Sequence, residues 1–445
     1  MPVSPARAAA FDILLRVETQ HAYVSELLHS SRLDKLSSID RGLTTEIVMG
    51  VLRWRSRLDE SIAVASSRAL SKLDAEVLTA LRMATYQLQF LTRVPTSAAI
   101  NESVELVKRA RKASAAPFAN AVLRKLASAP RYSRTTRIDA SVENIFREYA
   151  HPQWLVERWA RQFGIETAAR ICQQDQEGLR PALRFEHPEA EAELIAEGVQ
   201  VAPGALLSQA RVLISDVAGL TRTAAFRAGR VVIHDEGSQL VALLVGSGSR
   251  LLDCCAAPGG KTAVLASRNP TAEIIAADLH AHRAELLRKR VRAANVKVIQ
   301  ADTLHLPVDG QFDRVLADVP CSGTGTLARN PEIKWRLKPE DISDLHAKQV
   351  AILRAALRHL APDGRAVYST CSLEREEDKA VVEEVLADSP EFHLLDVREE
   401  LERLRNAGEL AWGDLDSLVS DKYLRTIQGM HSCDGFFAAV IELVV

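Results

Sequence analysis

The chain has 445 residues, 47% hydrophobic and 26% charged, with a formal net charge of -2, so two to three domains with ample apolar core are expected. No apolar run approaches the roughly 20 residues of a membrane helix, and Met1-Pro2-Val3-Ser4-Pro5 lacks the basic head and apolar middle of a secretory signal. Six cysteines without CxxC or zinc-finger spacing exclude a disulfide framework and give no reason to expect a metal; the expectation is a soluble, cytoplasmic protein.

Near-neutral charge hides an asymmetry. Residues 1–130 hold 18 Lys/Arg and 12 Asp/Glu, or +6, which leaves -8 for the rest. The cations cluster as Arg53, Arg55 and Arg57, then Lys108, Arg109, Arg111 and Lys112, then Arg124 and Lys125, a distribution suited to a phosphate backbone. On charge alone, solvated helix faces are the simpler reading.

From Ser4 to about Ser128 apolar residues recur every three or four positions, which predicts an all-helical bundle. The helices are placed at Pro5 to Thr19, Ser38 to Arg57, Asp74 to Thr92, Ser97 to Lys112 and Ala116 to Ala127, with Asp40, Asp74 and Thr96 as candidate caps. Residues 131–235 read as a connector and small α+β unit, with a helix from Pro152 to Gln174 and short apolar runs up to Ile233. Residues 236–445 alternate strand and helix, which predicts a doubly wound, mostly parallel α/β sheet. Its strands are placed at Arg250 to Cys254, Glu273 to Ala277, Lys297 to Gln300, Arg314 to Ala317 and Arg365 to Tyr368, with an antiparallel strand near the edge from Gly435 to Ile441.

In such a sheet ligands lie across the carboxyl ends of the strands. The first strand closes on Cys255-Ala256-Ala257-Pro258-Gly259-Gly260-Lys261, where the glycines allow close backbone approach to a ligand. The Gly-Lys-Thr tripeptide is not a P-loop, because Cys255 stands where the first glycine of GxxxxGK[ST] belongs. Asp278 ends the second strand, where a carboxylate can accept from both ribose hydroxyls. Asp302 ends the third, where it can accept an adenine amino proton. Either could merely cap a helix, but Asp253, Asp278, Asp302 and Asp318 at four successive strand ends favour a cofactor. No GxGxxG is present, so S-adenosylmethionine fits better than NAD.

Cys321 and Cys371 each follow an apolar strand, in Pro-Cys-Ser-Gly and Ser-Thr-Cys-Ser. Free intracellular cysteines are more often small buried hydrophobes; these polar turns reverse that reading, and Cys172, on an amphipathic helix, keeps it. Carbon 5 of a pyrimidine is too weak a nucleophile to take a methyl group unaided. Addition of a thiolate at carbon 6 makes the ring an enamine, so covalent catalysis fits; it also needs an acid at N3 or the amino group, a route for the carbon-5 proton and final expulsion of the thiol, tasks that Asp318, Cys321 and Cys371 can share.

These motifs, with Asn330-Pro-Glu-Ile-Lys-Trp335, Tyr368-Ser-Thr-Cys-Ser372 and Asp434-Gly-Phe-Phe437, resemble the bacterial 16S ribosomal RNA cytosine-C5 methyltransferases of the RsmB (Sun/Fmu) type over nearly the whole length. The N-terminal part resembles the NusB fold, an RNA-binding helical bundle, through Leu81-Arg-Met-Ala-Thr-Tyr86, Ile100 to Lys108 and Phe118 to Leu123. The resemblance implies an N-terminal NusB-like domain (1–130), a small α+β RNA-recognition subdomain (131–235) and a Rossmann-like methyltransferase domain (236–445). It also implies that Cys371 is the nucleophile, that Cys321 assists product release, and that Asp318 holds cytosine by N3 and N4, protonated when it donates to N3. Residues Cys255 through Lys261, Asp278, Asp302 and Asp318 then surround S-adenosylmethionine, and the target is a cytosine outside a duplex. Three positions depart from the family pattern: Cys254 precedes Cys255, and Glu186 and Asp378 stand where Asn is usual. The expected partner is small-subunit ribosomal RNA and the expected state a monomer without metal. The alternatives are the same chemistry on transfer RNA or large-subunit RNA, and a non-catalytic RNA-binding assembly or antitermination factor.

Overall fold

A computed structural model describes residues 2–20, 22–28, 30, 33–132 and 141–444. It divides into two compact units, one of residues 1–177 with 327–336, the other of residues 178–326 with 337–445.

The first unit is helical. Its centre is the helix Ala75–Phe90, buried on all sides from Val77 to Leu88, as expected of a helix enclosed by others. Gly50 lets the helix Ser38–Arg53 lie directly on it, since a Cβ there would come within 1.9 Å of the Tyr86 ring. Several polar groups inside the bundle are paired, although the buried Ser103 hydroxyl has no partner among the described residues. Arg7 bonds Glu102 at 3.0 Å and Gln87 at 2.7 Å, Arg82 bonds Asp59, and Tyr86 donates to Glu46.

Two expected helices are each broken. Ser38 to Arg57 splits at Trp54, whose ψ of 13° ends one helix before Arg55–Ser66 begins and whose ring packs on Phe90 and Tyr132. Pro152 to Gln174 splits at Gly164, with φ +84°, into Gln153–Phe163 and Ile165–Glu177. Among the candidate caps, Ser37 rather than Asp40 accepts the N-terminal bond, from the Asp40 amide. Asp74 occupies a cap position without a side-chain bond to the helix amides, pairing instead with Lys112 at 3.2 Å, and Thr96 is already helical.

The second unit carries two sheets. Strands β1 (Ala182–Phe185), β2 (Val201–Pro203), β3 (Arg211–Leu213) and β4 (Val231–Ile233) form an antiparallel sheet in the order β2-β3-β1-β4. The larger sheet contains β5 (Arg250–Asp253), β6 (Glu273–Asp278), β7 (Val296–Gln300), β8 (Phe312–Asp318), β9 (Leu360–Thr370), β10 (Phe392–Leu394), β11 (Val419–Ser420), β12 (Tyr423–Arg425) and β13 (Phe437–Leu443), ordered β11-β12-β13-β9-β8-β5-β6-β7 with β10 also on β13. Its β5 to β9 core is parallel and the remaining pairings are antiparallel. The last strand lies further inside than expected, with β9 on one side and β10 and β12 on the other, which matches its unbroken apolar run from Phe437 to Ile441.

Both faces of the sheet are covered. Leu251, Ile274, Leu316 and Val367 enter one core, and their neighbours Leu252, Ile275, Val315 and Tyr368 the other, the period-two alternation of a strand. The chain runs outward from β5 through β6 to β7, then returns to place β8 on the opposite side of β5. That reversal opens a crevice at the carboxyl ends of β5 and β8.

Candidate active site

The residues singled out by sequence meet at this crevice. After β5 the turn is stitched to the end of β6: the Ala256 amide donates to the Ala277 carbonyl at 2.8 Å and the Ala257 amide to Asp278 at 3.3 Å. Gly259 takes φ +106°, a conformation closed to ordinary side chains, and a Cβ there would strike Val291 and Leu287 at 2.7 and 2.8 Å. The helix Gly260–Arg268 starts from it with no side-chain cap among the described residues, which leaves its first amides available to a ligand.

Asp278 is buried and braces the turn, accepting also from the His280 amide at 3.0 Å with Arg283 3.6 Å away. Asp302 is exposed and caps the short turn Thr303–His305. Asp253 accepts from the Thr262 hydroxyl at 2.7 Å, and its other oxygen has no partner among the described residues. Burial pushes its carboxyl up to about 7. Cys254 faces the core, while the Cys255 thiol lies 3.8 Å from the Thr303 hydroxyl and is pushed up to about 12 by burial. The orphaned Asp253 oxygen, the left-handed Gly259 and the carboxylates at the strand ends give acceptors and close backbone, a set suited to a nucleoside with a cationic tail.

The two expected cysteines converge. Cys321 Sγ and Cys371 Sγ are 3.4 Å apart, both half-buried. Their hydrogen bond, then burial, raises the Cys321 thiol well above its ordinary value. Asp318 ends β8 beside them. One oxygen accepts from Ser369 and the other from Lys261 Nζ, each at 2.8 Å. Burial disfavours the Lys261 ammonium, but Asp318, with a smaller contribution from Cys371, outweighs it and raises its pKa. The ammonium also lies 4.9 Å from the centre of the Phe436 ring. Lys261, expected at the cofactor, thus reaches toward the cysteines.

Three motifs interlock through their backbones. The Gly325 amide donates to the Cys371 carbonyl at 2.9 Å, and the Gly435 amide to the Gly325 carbonyl at 2.7 Å. A Cβ on Gly325 would meet the Gly435 carbonyl oxygen at 2.1 Å, so Gly325 and Gly435 are required by contact.

Sequence reasoning missed the residue that fixes both cysteine turns. Glu377 is fully buried and accepts from the Ser322 amide at 2.8 Å, the Ser372 hydroxyl at 2.6 Å, Gln349 at 2.9 Å and the Ser322 hydroxyl. Its carbonyl takes the Tyr368 hydroxyl. It sits in Glu374-Arg-Glu-Glu-Asp378, a charged run that normally marks a solvated surface; the only available signal was its closeness to Cys371. Asp378, also buried, pairs with Arg425 at 2.7 Å and accepts from Thr370. Burial pushes its carboxyl up to about 7. Glu186 pairs with Arg184 on the small sheet. No group of three or more His, Cys, Asp or Glu among the described residues could hold a metal, and no helix is long and apolar enough to cross a membrane.

The model of the 16S rRNA methyltransferase RsmB/F family matches residues 241–442, and that of the NusB family matches residues 4–128. The probable ribosomal RNA small subunit methyltransferase B of Bacillus subtilis is 34% identical over 410 residues, 88% of this chain and 90% of that protein. The ribosomal RNA small subunit methyltransferase B of Pseudomonas putida is 32% identical over 411 residues, 88% and 92% respectively. The crystal structure of PH0851 superposes with a TM-score of 0.80 over 99% of both chains at 23% identity, a likeness of fold. A match of this identity along nine-tenths of the Bacillus protein, carried by both domain models, means that the chain belongs to the RsmB/F family of 16S rRNA methyltransferases.

Proposed function

We propose that the protein methylates carbon 5 of a cytosine in small-subunit ribosomal RNA, using S-adenosylmethionine and a covalent bond between Cys371 Sγ and carbon 6 of the ring. The observation that carries this reading is the pair of sulfurs 3.4 Å apart beside the Asp318–Lys261 pair at the strand ends.

The base leaves its stack to enter the crevice, at a cost of a few kcal/mol that a non-duplex cytosine keeps low. Cys371, as thiolate, adds to carbon 6, and the electron pair of the 5,6 double bond moves toward N3. Asp318 faces N3 and the amino group and passes to N3 a proton taken from the Lys261 ammonium already bonded to it. The ring is then an enamine with a nucleophilic carbon 5. Residues Cys255 through Lys261, Asp278 and Asp302 would hold the cofactor, which when bound supplies the electrophilic methyl group. A water takes the carbon-5 proton, the N3 proton returns to Asp318, and the carbon 6–sulfur bond breaks to re-form the 5,6 double bond and expel the Cys371 thiolate, which the Cys321 thiol stabilises by its hydrogen bond. Glu377 keeps both cysteine turns in register throughout.

The test is transfer of labelled methyl from S-adenosylmethionine to purified 16S RNA, 23S RNA and transfer RNA, followed by nucleoside analysis. Label in 5-methylcytidine from 16S RNA is the expected result. Label confined to another RNA replaces the substrate, label in another nucleoside overturns the chemistry, and no label with tight RNA binding favours a non-catalytic assembly factor.

A further inference from the structure

The second unit carries a cationic face that the catalytic account leaves unused. Residues 279–297 contain six Lys/Arg and one acid, Glu285, whereas the rest of residues 131–445 sums to -13. Arg288, Lys289, Arg290, Arg292 and Lys297 are all exposed. Glu285 is shared by Arg288 at 3.4 Å and Lys289 at 3.5 Å, and among the described residues Arg290, Arg292 and Lys297 have no ion pair. Cations at a helix C-terminus are favoured by the helix dipole. Four of them within the five positions 288–292 exceed what the terminal carbonyls require, however, and repel one another.

This face is fixed to the active site. The other side of the helix Ala281–Arg290 buries Ala284 and Leu287, and Leu287 and Val291 press on Gly259 of the turn after β5. Arg283 bonds the Ala257 carbonyl of the same turn at 2.8 Å. The helix thus packs on the turn that borders the crevice, and charge complementarity in an otherwise acidic region favours a polyanion over a neutral or basic protein surface. We propose that Lys289, Arg290 and Arg292 form a second RNA-contacting surface, on the catalytic unit itself, that binds the phosphodiester backbone flanking the target cytosine. The proposal rests on the function read above for its partner, but not for its test.

The experiment measures binding of transcribed 16S RNA by the full-length protein across a potassium chloride series, with Lys289→Glu, Arg290→Glu and Arg292→Glu combined. The expected result is at least about tenfold weaker binding at moderate salt and a plot of log affinity against log salt shallower by about two, at roughly 0.7–0.9 per lost phosphate contact. S-adenosylmethionine affinity should stay at the parent value, because the inner side of the helix is untouched. Glu285→Gln, which removes the one local acid, should tighten RNA binding and steepen the plot. Unchanged RNA affinity and slope in the charge reversal would overturn the proposal, and so would a parallel loss of cofactor affinity or the disruption of a self-associated parent. A parent that binds RNA but never methylates it would fail the catalytic reading alone.

Discussion

Two buried polar clusters in this molecule look alike in composition and differ in use. In the helical unit, Lys334 is fully buried near Asp175 and donates to the Arg53 carbonyl at 3.1 Å. Gln176 donates to the same carbonyl at 3.0 Å, and Trp335 to the Leu52 carbonyl. His151 lies between the Tyr149 carbonyl at 2.7 Å and Asp175 at 3.1 Å. Most of these groups face carbonyls at helix ends, the C-terminus of Ser38–Arg53 above all, which a helix leaves unsatisfied. At the strand ends of the second unit, Cys321 and Cys371 remain half-buried and the Asp318 side chain is 28% exposed. Burial and shifted ionisation occur in both, so they do not by themselves mark an active site. Access from a strand-end crevice does.

The sharpest way to break this contrast is at the cysteines. Cys371→Ala should lower methylation by about 10³-fold or more, since a covalent route is lost; rates from labelled-methyl transfer under single-turnover conditions check it. Asp318→Asn and Lys261→Met should each cost about 10²- to 10³-fold in the chemical step, with RNA affinity close to parent. If either variant loses only RNA affinity, the pair is a docking element and the proton route fails.

Lys334→Met sharpens the contrast from the helical side, because it should leave the methylation rate within about twofold and act on stability instead. Burial lowers the Lys334 ammonium from 10.5 to about 7, so between these values the unfolded chain binds a proton that the folded one has released. Stability of the parent therefore rises with pH across roughly 7 to 10.5. The stability of the variant relative to the parent should be highest near pH 7 and fall toward pH 10, as read from denaturant midpoints. The smallest effect has the opposite sign. Asp378, raised from 3.8 to about 7 by burial, contributes stability that is full below pH 3.8 and lost as pH climbs through 7. Asp378→Asn should therefore gain on the parent between about pH 4 and pH 7.

Much of this site was legible because its chemistry is written in short segments at strand ends. Cys255 to Lys261, Asp318, Cys321 and Cys371 each close an apolar run, and the sheet topology then gathers them. Glu377 was not legible, since a carboxylate inside a charged run gains its meaning only from the backbone amides that tertiary structure brings to it. Lys334 and Trp335 escaped for a related reason. They lie in sequence between β8 and β9 yet belong to the helical unit, a long-range partition that local periodicity does not encode. The helix breaks at Trp54 and Gly164 are of a third kind, where one residue's conformation interrupts an otherwise continuous helical pattern.

The covalent route is tested most directly by trapping. Cys321→Ala incubated with S-adenosylmethionine and 16S RNA should accumulate a denaturant-resistant protein–RNA adduct, because release is impaired while attack is intact, and the adduct should vanish when Cys371→Ala is added to it. Sequencing the attached RNA would then identify the cytosine. Absence of any adduct, while the parent methylates the same RNA, would contradict the assignment of Cys371 as nucleophile and Cys321 as the group that frees the product.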